Sequence, residues 1–184
     1  APPVPGGITD VGIIVARGAV AVFDPELGTL LPLNVDDAWV SQPFGGGFVF
    51  PFYGQTYSTA YISSNGYVTF NSGDASYSPS VPAAVNGLPR LSCYYMDLVG
   101  YSVPPGGGVY FKQLADRAVV TWYRMGEYRV GGQDNTCQIV LFADGRIQYA
   151  YQGLTSTGPT HSIAVAITPG GTPPYQQLDF DTQS

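Results

Sequence analysis

Apolar and polar positions alternate along much of this chain, in short runs separated by glycine, proline, asparagine and serine. The clearest case spans residues 135–152. There Ile139, Leu141, Ile147 and Tyr149 fall on a period of two on either side of Ala143-Asp144-Gly145-Arg146. Alternation of this kind lays one face of a strand against a core, and Asp-Gly supplies the positive φ angles of a tight turn. The segment predicts a β-hairpin with Asp144 and Gly145 as structural residues at its tip. Ser64-Asn65-Gly66, between runs at 57–63 and 67–70, predicts a second hairpin with Asn65 and Gly66 in the positive-φ positions. Further strands are expected at 48–50, 90–98, 108–113, 117–123, 136–143, 146–152 and 161–168, with a last one near 176–180. Val, Ile, Tyr, Phe and Thr dominate these runs, which fits strands.

No window of twelve residues carries a capped period of 3.6. The 24 glycines and 16 prolines are spread between apolar runs, so they read as turns. About ten short strands at regular spacing imply an all-β fold, an antiparallel β-sandwich. A chain of 184 residues suits one compact unit. Residues 40–184 are assigned to the sandwich and residues 1–39 to a leading arm or edge strands. Within the arm, 11–15 and 19–23 are apolar runs around Ala16-Arg17-Gly18, and 24–36 reads as a loop. Residues 71–88, with Pro79 and Pro82, read as a long loop. The runs at 11–15 and 19–23 are too apolar to stay solvated, and they must pair with their own sheet or with an adjacent subunit.

Charge narrows the functional classes. The net charge is −6, the pI about 4.3, charged residues are 11%, and Lys112 is the sole lysine. No basic stripe exists to displace counterions, which argues against nucleic acid and against anionic membranes. No apolar run approaches 18 residues, so no helical insertion into a membrane is expected. Ala1-Pro2-Pro3 without an initiator Met reads as a processed start, and with the cysteines it points to a secreted protein.

Two cysteines allow one bridge. Cys93–Cys137 would close a span of about 45 residues, worth about 4 kcal/mol in the chain-entropy model. The other reading is two buried free thiols, since cysteine also behaves as a small hydrophobe. Two cysteines and the single His161 leave no structural zinc set.

Catalytic candidates are few. Asp97, ending the aromatic run that starts at Cys93, is the best candidate for a glycosidase acid, but spacing marks out no second carboxylate. His161 stands without a Gly-x-Ser-x-Gly or His-Glu-x-x-His motif. The bland reading of Asp97 is a strand-end side chain bonded to loop amides. Calcium is the one cofactor considered: Asp36, Asp37, Asp74, Asp134 and Asp144 lie in loops, yet no Asp-x-Asp-x-Asp-Gly loop occurs. The expectation is therefore no catalytic residue, no cofactor and no dedicated metal site. Gly45-Gly46-Gly47 and Gly106-Gly107-Gly108 do not continue into a phosphate loop. Among fourteen tyrosines, Tyr53, Tyr57, Tyr101 and Tyr128 are candidate interface or ligand aromatics, since tyrosine serves sugars and proteins alike.

Taken in order, LSCYYMDL, GGGVYFKQ, RAVVTWYRM, NTCQIVLFADGRIQY and Tyr151-Gln152-Gly153-Leu154 resemble the extracellular NIDO domain of nidogen, tectorin and some mucins. Asn135, Thr136 and Gln138 match the family's Asn-Thr-Phe-Gln, with Cys137 in place of the aromatic. Asp97 matches its strand-ending Asp, and Tyr95 stands where Trp is usual. Residues 48–70 resemble the lead-in of bacterial secreted NIDO-like proteins, and the composition leans toward a bacterial or archaeal relative. The resemblance covers about residues 40–168. It implies an extracellular, non-catalytic module of adhesion or matrix assembly at a cell surface. The partners expected on this basis are proteins, either other copies of the chain or matrix and surface proteins. A carbohydrate-binding module is the alternative.

Overall fold

The computed structural model describes residues 22–101, 103–155 and 162–174. Two antiparallel sheets face each other across one apolar core. In the first, β9 (Gly108–Gln113), β10 (Arg117–Glu127), β11 (Val130–Phe142) and β12 (Ile147–Gln152) pair in that order. The two-residue β1 (Thr29–Leu30) flanks β9, and β8 (Leu98–Val99) pairs with β10. In the second sheet the order is β13 (Ala164–Thr168), β7 (Arg90–Tyr95), β6 (Tyr67–Thr69), β5 (Thr59–Ser63) and β2 (Trp39–Pro43). A small hairpin joins β3 (Phe50–Phe52) to β4 (Gln55–Tyr57).

Register explains the core. Phe111, Val120, Ile139 and Tyr149 stand opposite one another across four strands, and so do Val109, Trp122, Cys137 and Tyr151. Directly opposed residues share a face, so the period of two read along each strand becomes continuous apolar rows. Ala60, Ile62, Val68, Leu91 and Cys93 answer from the second sheet. Trp122 is fully buried and donates its indole N–H to the Ser63 carbonyl at 2.8 Å, which satisfies its one polar atom. Leu31 and Leu33, from the arm, are buried in the same core.

A bulge in β7 sets the outer face of the second sheet. Ser92 pairs with Ala166 and Tyr95 with Ala164, three steps against two. Tyr94 and Met96 thereby join the main core, while Tyr95 joins Tyr67 on the other side. The long loop lies over that side. Tyr67 donates to the carbonyls of Asp74 and Ser76, Thr69 to Ser72, and Tyr95 to Ser78.

Several expectations are corrected. The loop at 71–88 ends in a helix, α1 (Val81–Val85), capped by Ser80, whose hydroxyl accepts from the Ala83 amide at 3.2 Å. Five residues containing Pro82 are too short to show a helical period. The run at 57–63 divides into parts of β4 and β5, and the strand β2 lies where none was expected. The run at 161–168 is a strand only from Ala164, and the runs at 11–15 and 176–180 lie outside the described residues, as does 19–21 of the run at 19–23, whose last two residues are described and are not strand.

The Cys93–Cys137 bridge is also corrected: both cysteines are free thiols. They do not sit on neighbouring strands. Cys93 is on β7 and Cys137 on β11, in opposite sheets, and their sulfurs meet across the core at 3.2 Å. A disulfide has its sulfurs at about 2.05 Å. The Cys93 thiol is pushed well above its ordinary range by burial first and by the facing Cys137 second.

Candidate functional site

The loops at one end of the sandwich converge on Asn65, in the turn between β5 and β6. Its side-chain amide donates to Asp37 at 2.9 Å and to the Ser76 carbonyl at 3.3 Å. Its side-chain oxygen accepts from the Leu98 amide at 2.9 Å. One buried amide thus ties together the 34–38 segment, the long loop and the segment that carries Asp97. Gly66 follows with φ 78°, and a Cβ there would lie 2.0 Å from the Tyr94 carbonyl oxygen, so glycine is required twice over.

This stitching brings Asp36, Asp37 and Asp97 together. One carboxylate oxygen of each lies within 4.8 Å of the others. Asp97 is 5% exposed, and its carbonyl accepts from the Tyr128 amide at 3.0 Å. Asp37 adopts φ 43°, a left-handed conformation that aspartate tolerates better than most side chains. Asp36 has its Oδ1 buried without a hydrogen-bond partner. Burial first, and the adjacent Asp37 charge second, raise the Asp36 carboxyl above its ordinary value, against the pull of the Asp37 backbone amide and then of Arg129. Three convergent hard oxygens are the donor type that calcium takes, although calcium wants six to eight. An open depression of about 430 Å³ adjoins the cluster, lined by Tyr77, Ser78, Pro79, Asp97, Tyr128, Arg129 and Ser162. The Arg129 guanidinium stacks over the Tyr128 ring at 4.8 Å.

The other loop aspartates are engaged elsewhere. Asp134 pairs with Arg124 at 2.9 Å and Asp144 with Arg146 at 2.8 Å. Asp144 also accepts from the Arg146 amide, and Gly145, with φ 89°, closes the turn by donating to Phe142. Asp74 pairs with Arg90, a buried arginine held between Tyr67 at 4.4 Å and Tyr95 at 5.3 Å. Burial opposes ionisation of Asp74, but hydrogen bonds from Ser76 and the Arg90 charge prevail and lower its pKa.

The four tyrosines do not form one surface. Tyr57 stacks on Phe70 with centroids 4.6 Å apart, and Tyr53 meets Phe52 edge-on at 4.7 Å, so both belong to the aromatic packing around the β3–β4 hairpin. Tyr101 is 59% exposed and stands with Tyr128 at the acidic end. His161 lies outside the described residues. Sequence reasoning weighed Asp36 and Asp37 apart from Asp97 and missed Arg90, Arg129 and the side-chain role of Asn65. Asn-Gly signals a turn and hides what the asparagine side chain then does.

Two antiparallel sheets with long loops gathered at one end, and no helical layer among the described residues, define an all-β module. The chain belongs to the NIDO-related family, whose model matches residues 18–184 and so reaches back past the start of the sandwich. Domains of this family are extracellular in general, and the family is not a known class of enzyme. Neither the curated proteins nor the solved structures contain a match. Among the described residues, no helix is long and apolar enough to cross a membrane.

Proposed function

We propose that the chain is a secreted, non-catalytic structural or adhesion module that assembles with copies of itself at a surface or in a filament. The observation that carries this reading is the state of the sheet edges. Exposed edge strands are templates for pairing, and proteins blunt them by shortness, charge or proline. On one side of the sandwich the edges are blunted: β1 has two residues and β2 ends in Pro43. On the other side the edge strands, among the described residues, are β12, which reads Ile147-Gln148-Tyr149-Ala150-Tyr151-Gln152, and β13, which reads Ala164-Val165-Ala166-Ile167-Thr168, without a charge or a proline. The two edges adjoin, since Tyr149 donates to the Ala166 carbonyl at 2.9 Å. Tyr151, Leu154, Ile163 and Val165, on or beside them, are each 43–46% exposed. Low surface charge supports the same reading.

Carbohydrate binding is the second reading, favoured by exposed Trp39, Tyr77 and Tyr101. The ring geometry is less favourable to it. Trp39 meets Tyr61 at 66° and Tyr110 meets Tyr123 at 79°, edge to face, whereas a flat sugar face stacks best on coplanar rings. Sedimentation velocity and electron microscopy of the purified chain, together with a glycan array, decide between the two. Concentration-dependent multimers support assembly. A monomer at every concentration that binds a saccharide overturns it.

A further inference from the structure

Residues 22–28 form a strap across the outer face of the first sheet. Gly28 lies against Phe111 of β9, where a Cβ would come within 2.4 Å of the backbone oxygen. Asp24 pairs with Lys112 of β9 at 2.6 Å. Its backbone is then clasped by the Gln138 side chain of β11, which accepts from the Asp24 amide at 3.0 Å and donates to its carbonyl at 3.2 Å. Gln148 of β12 donates to the Val22 carbonyl at 3.0 Å. Read toward lower numbers, the strap passes β9, then β11, and reaches β12 at Val22. Among the described residues, no strand pairs with the far side of β12.

Resting on the assembly reading above, we infer that residues 11–15 of one copy add as a strand to the β12 edge of a second copy. Val11-Gly12-Ile13-Ile14-Val15 is apolar, and only Asp10 and Arg17 beside it are charged. The strap runs across the strands, and a continuation in that direction would lead away from β12, not along it. Val22 is 74% exposed at that point. The seven residue steps from Val22 back to Val15 span roughly 23 Å when extended. The family match begins at residue 18 and does not include residues 11–15. Strand addition draws its affinity from main-chain hydrogen bonds, which an uncharged edge such as β12 offers unopposed. The contact joins two different surfaces, so it does not close on itself and it propagates into a linear array.

The test compares the full chain with a variant lacking residues 1–17, by sedimentation, electron microscopy, circular dichroism and hydrogen exchange at residues 147–152. The expected result is a full chain that forms end-to-end multimers with protected β12 amides. The truncated chain is then monomeric, with unchanged folding and fast-exchanging β12 amides. A synthetic peptide of residues 8–17 should shorten the arrays by occupying the edge. If the truncated chain assembles as before, strand addition is overturned while self-assembly stands. If the full chain is monomeric at every concentration, both fall, whether or not its β12 amides are protected. A truncated chain that fails to fold also overturns the inference, because the segment would then complete its own domain.

Discussion

The sulfurs of Cys93 and Cys137 face each other at 3.2 Å from opposite sheets, as free thiols in the centre of the core. Both side chains are buried, and the thiolate is the form that reacts. An aromatic disulfide reagent at pH 8 should therefore find no thiol in the native protein and two per chain after unfolding without reductant. Two blocked sulfurs in the unfolded protein would contradict the reduced pair.

Gly66 and Gly54 share a φ of 75–78° but differ in what surrounds them. A Cβ on Gly54 meets nothing within 4 Å, whereas one on Gly66 collides with the Tyr94 backbone. Gly54→Ala should cost about 1 kcal/mol, the strain of a left-handed residue alone. Gly66→Ala should cost about 3 kcal/mol or more, because backbone must also move. At roughly 2–4 °C per kcal/mol for a chain of this size, the two melting temperatures separate clearly. Equal losses would show that the turn relaxes freely.

The strands flanking Asp144-Gly145 and Asn65-Gly66 were legible from their alternation and from the turn residues between them. The turn conformation was only half legible: Gly66 and Gly145 take positive φ, whereas Asn65, expected there too, and Asp144 do not. The strand β2 was not: Trp39-Val40-Ser41-Gln42-Pro43 is an edge strand ending in proline, and its half-exposed pattern resembles a loop. The acidic cluster was not legible as a unit, since Asp36 and Asp37 are about sixty residues from Asp97 and their loops are joined through the Asn65 side chain, a contact without a local signature. Nor was the Arg90 site. Its partners Asp74, Tyr67 and Tyr95 are brought to it by the bulge in β7 and the path of the long loop, neither of which leaves a local signature.

Arg90 should act as the anchor of residues 71–80 on the second sheet. Removing one partner of a buried pair leaves an uncompensated charge and costs about 3–5 kcal/mol. Asp74→Asn is expected to fall in that range and to speed proteolysis of the loop. Arg90→Lys should also destabilise the loop although it keeps the charge, because an ammonium lacks the planar face that stacks between Tyr67 and Tyr95. The Asp74 carboxyl has a lowered pKa in the folded state. Its contribution is therefore complete above the unfolded value of 3.8 and is lost as pH falls through the folded one. Chemical denaturation at pH 6 and at pH 3 should show a gap between wild type and Asp74→Asn that is smaller at the lower pH. A gap of the same size at both values would sink the ionic account.

Asp36 should behave in the opposite sense. Its folded pKa is raised, by burial and then by Asp37, so the proton is bound more tightly in the folded chain than in the unfolded one. The protonated form contributes stability that is fully present below 3.8 and is lost as pH rises through the folded pKa. At pH 7 the ionised carboxylate is thus a net cost, with its Oδ1 buried and without a hydrogen-bond partner. Asp36→Asn removes the charge and keeps the shape. In buffer containing a chelator, to exclude bound divalent ions, the variant should melt higher than wild type at pH 7, and the difference should shrink toward pH 3. Asp37→Asn removes the same repulsion but also alters the acceptor of the Asn65 amide, so its gain should be smaller or absent. If Asp36→Asn melts lower than wild type at pH 7, the carboxylate is being stabilised in the folded state, and the repulsive account of the cluster is wrong.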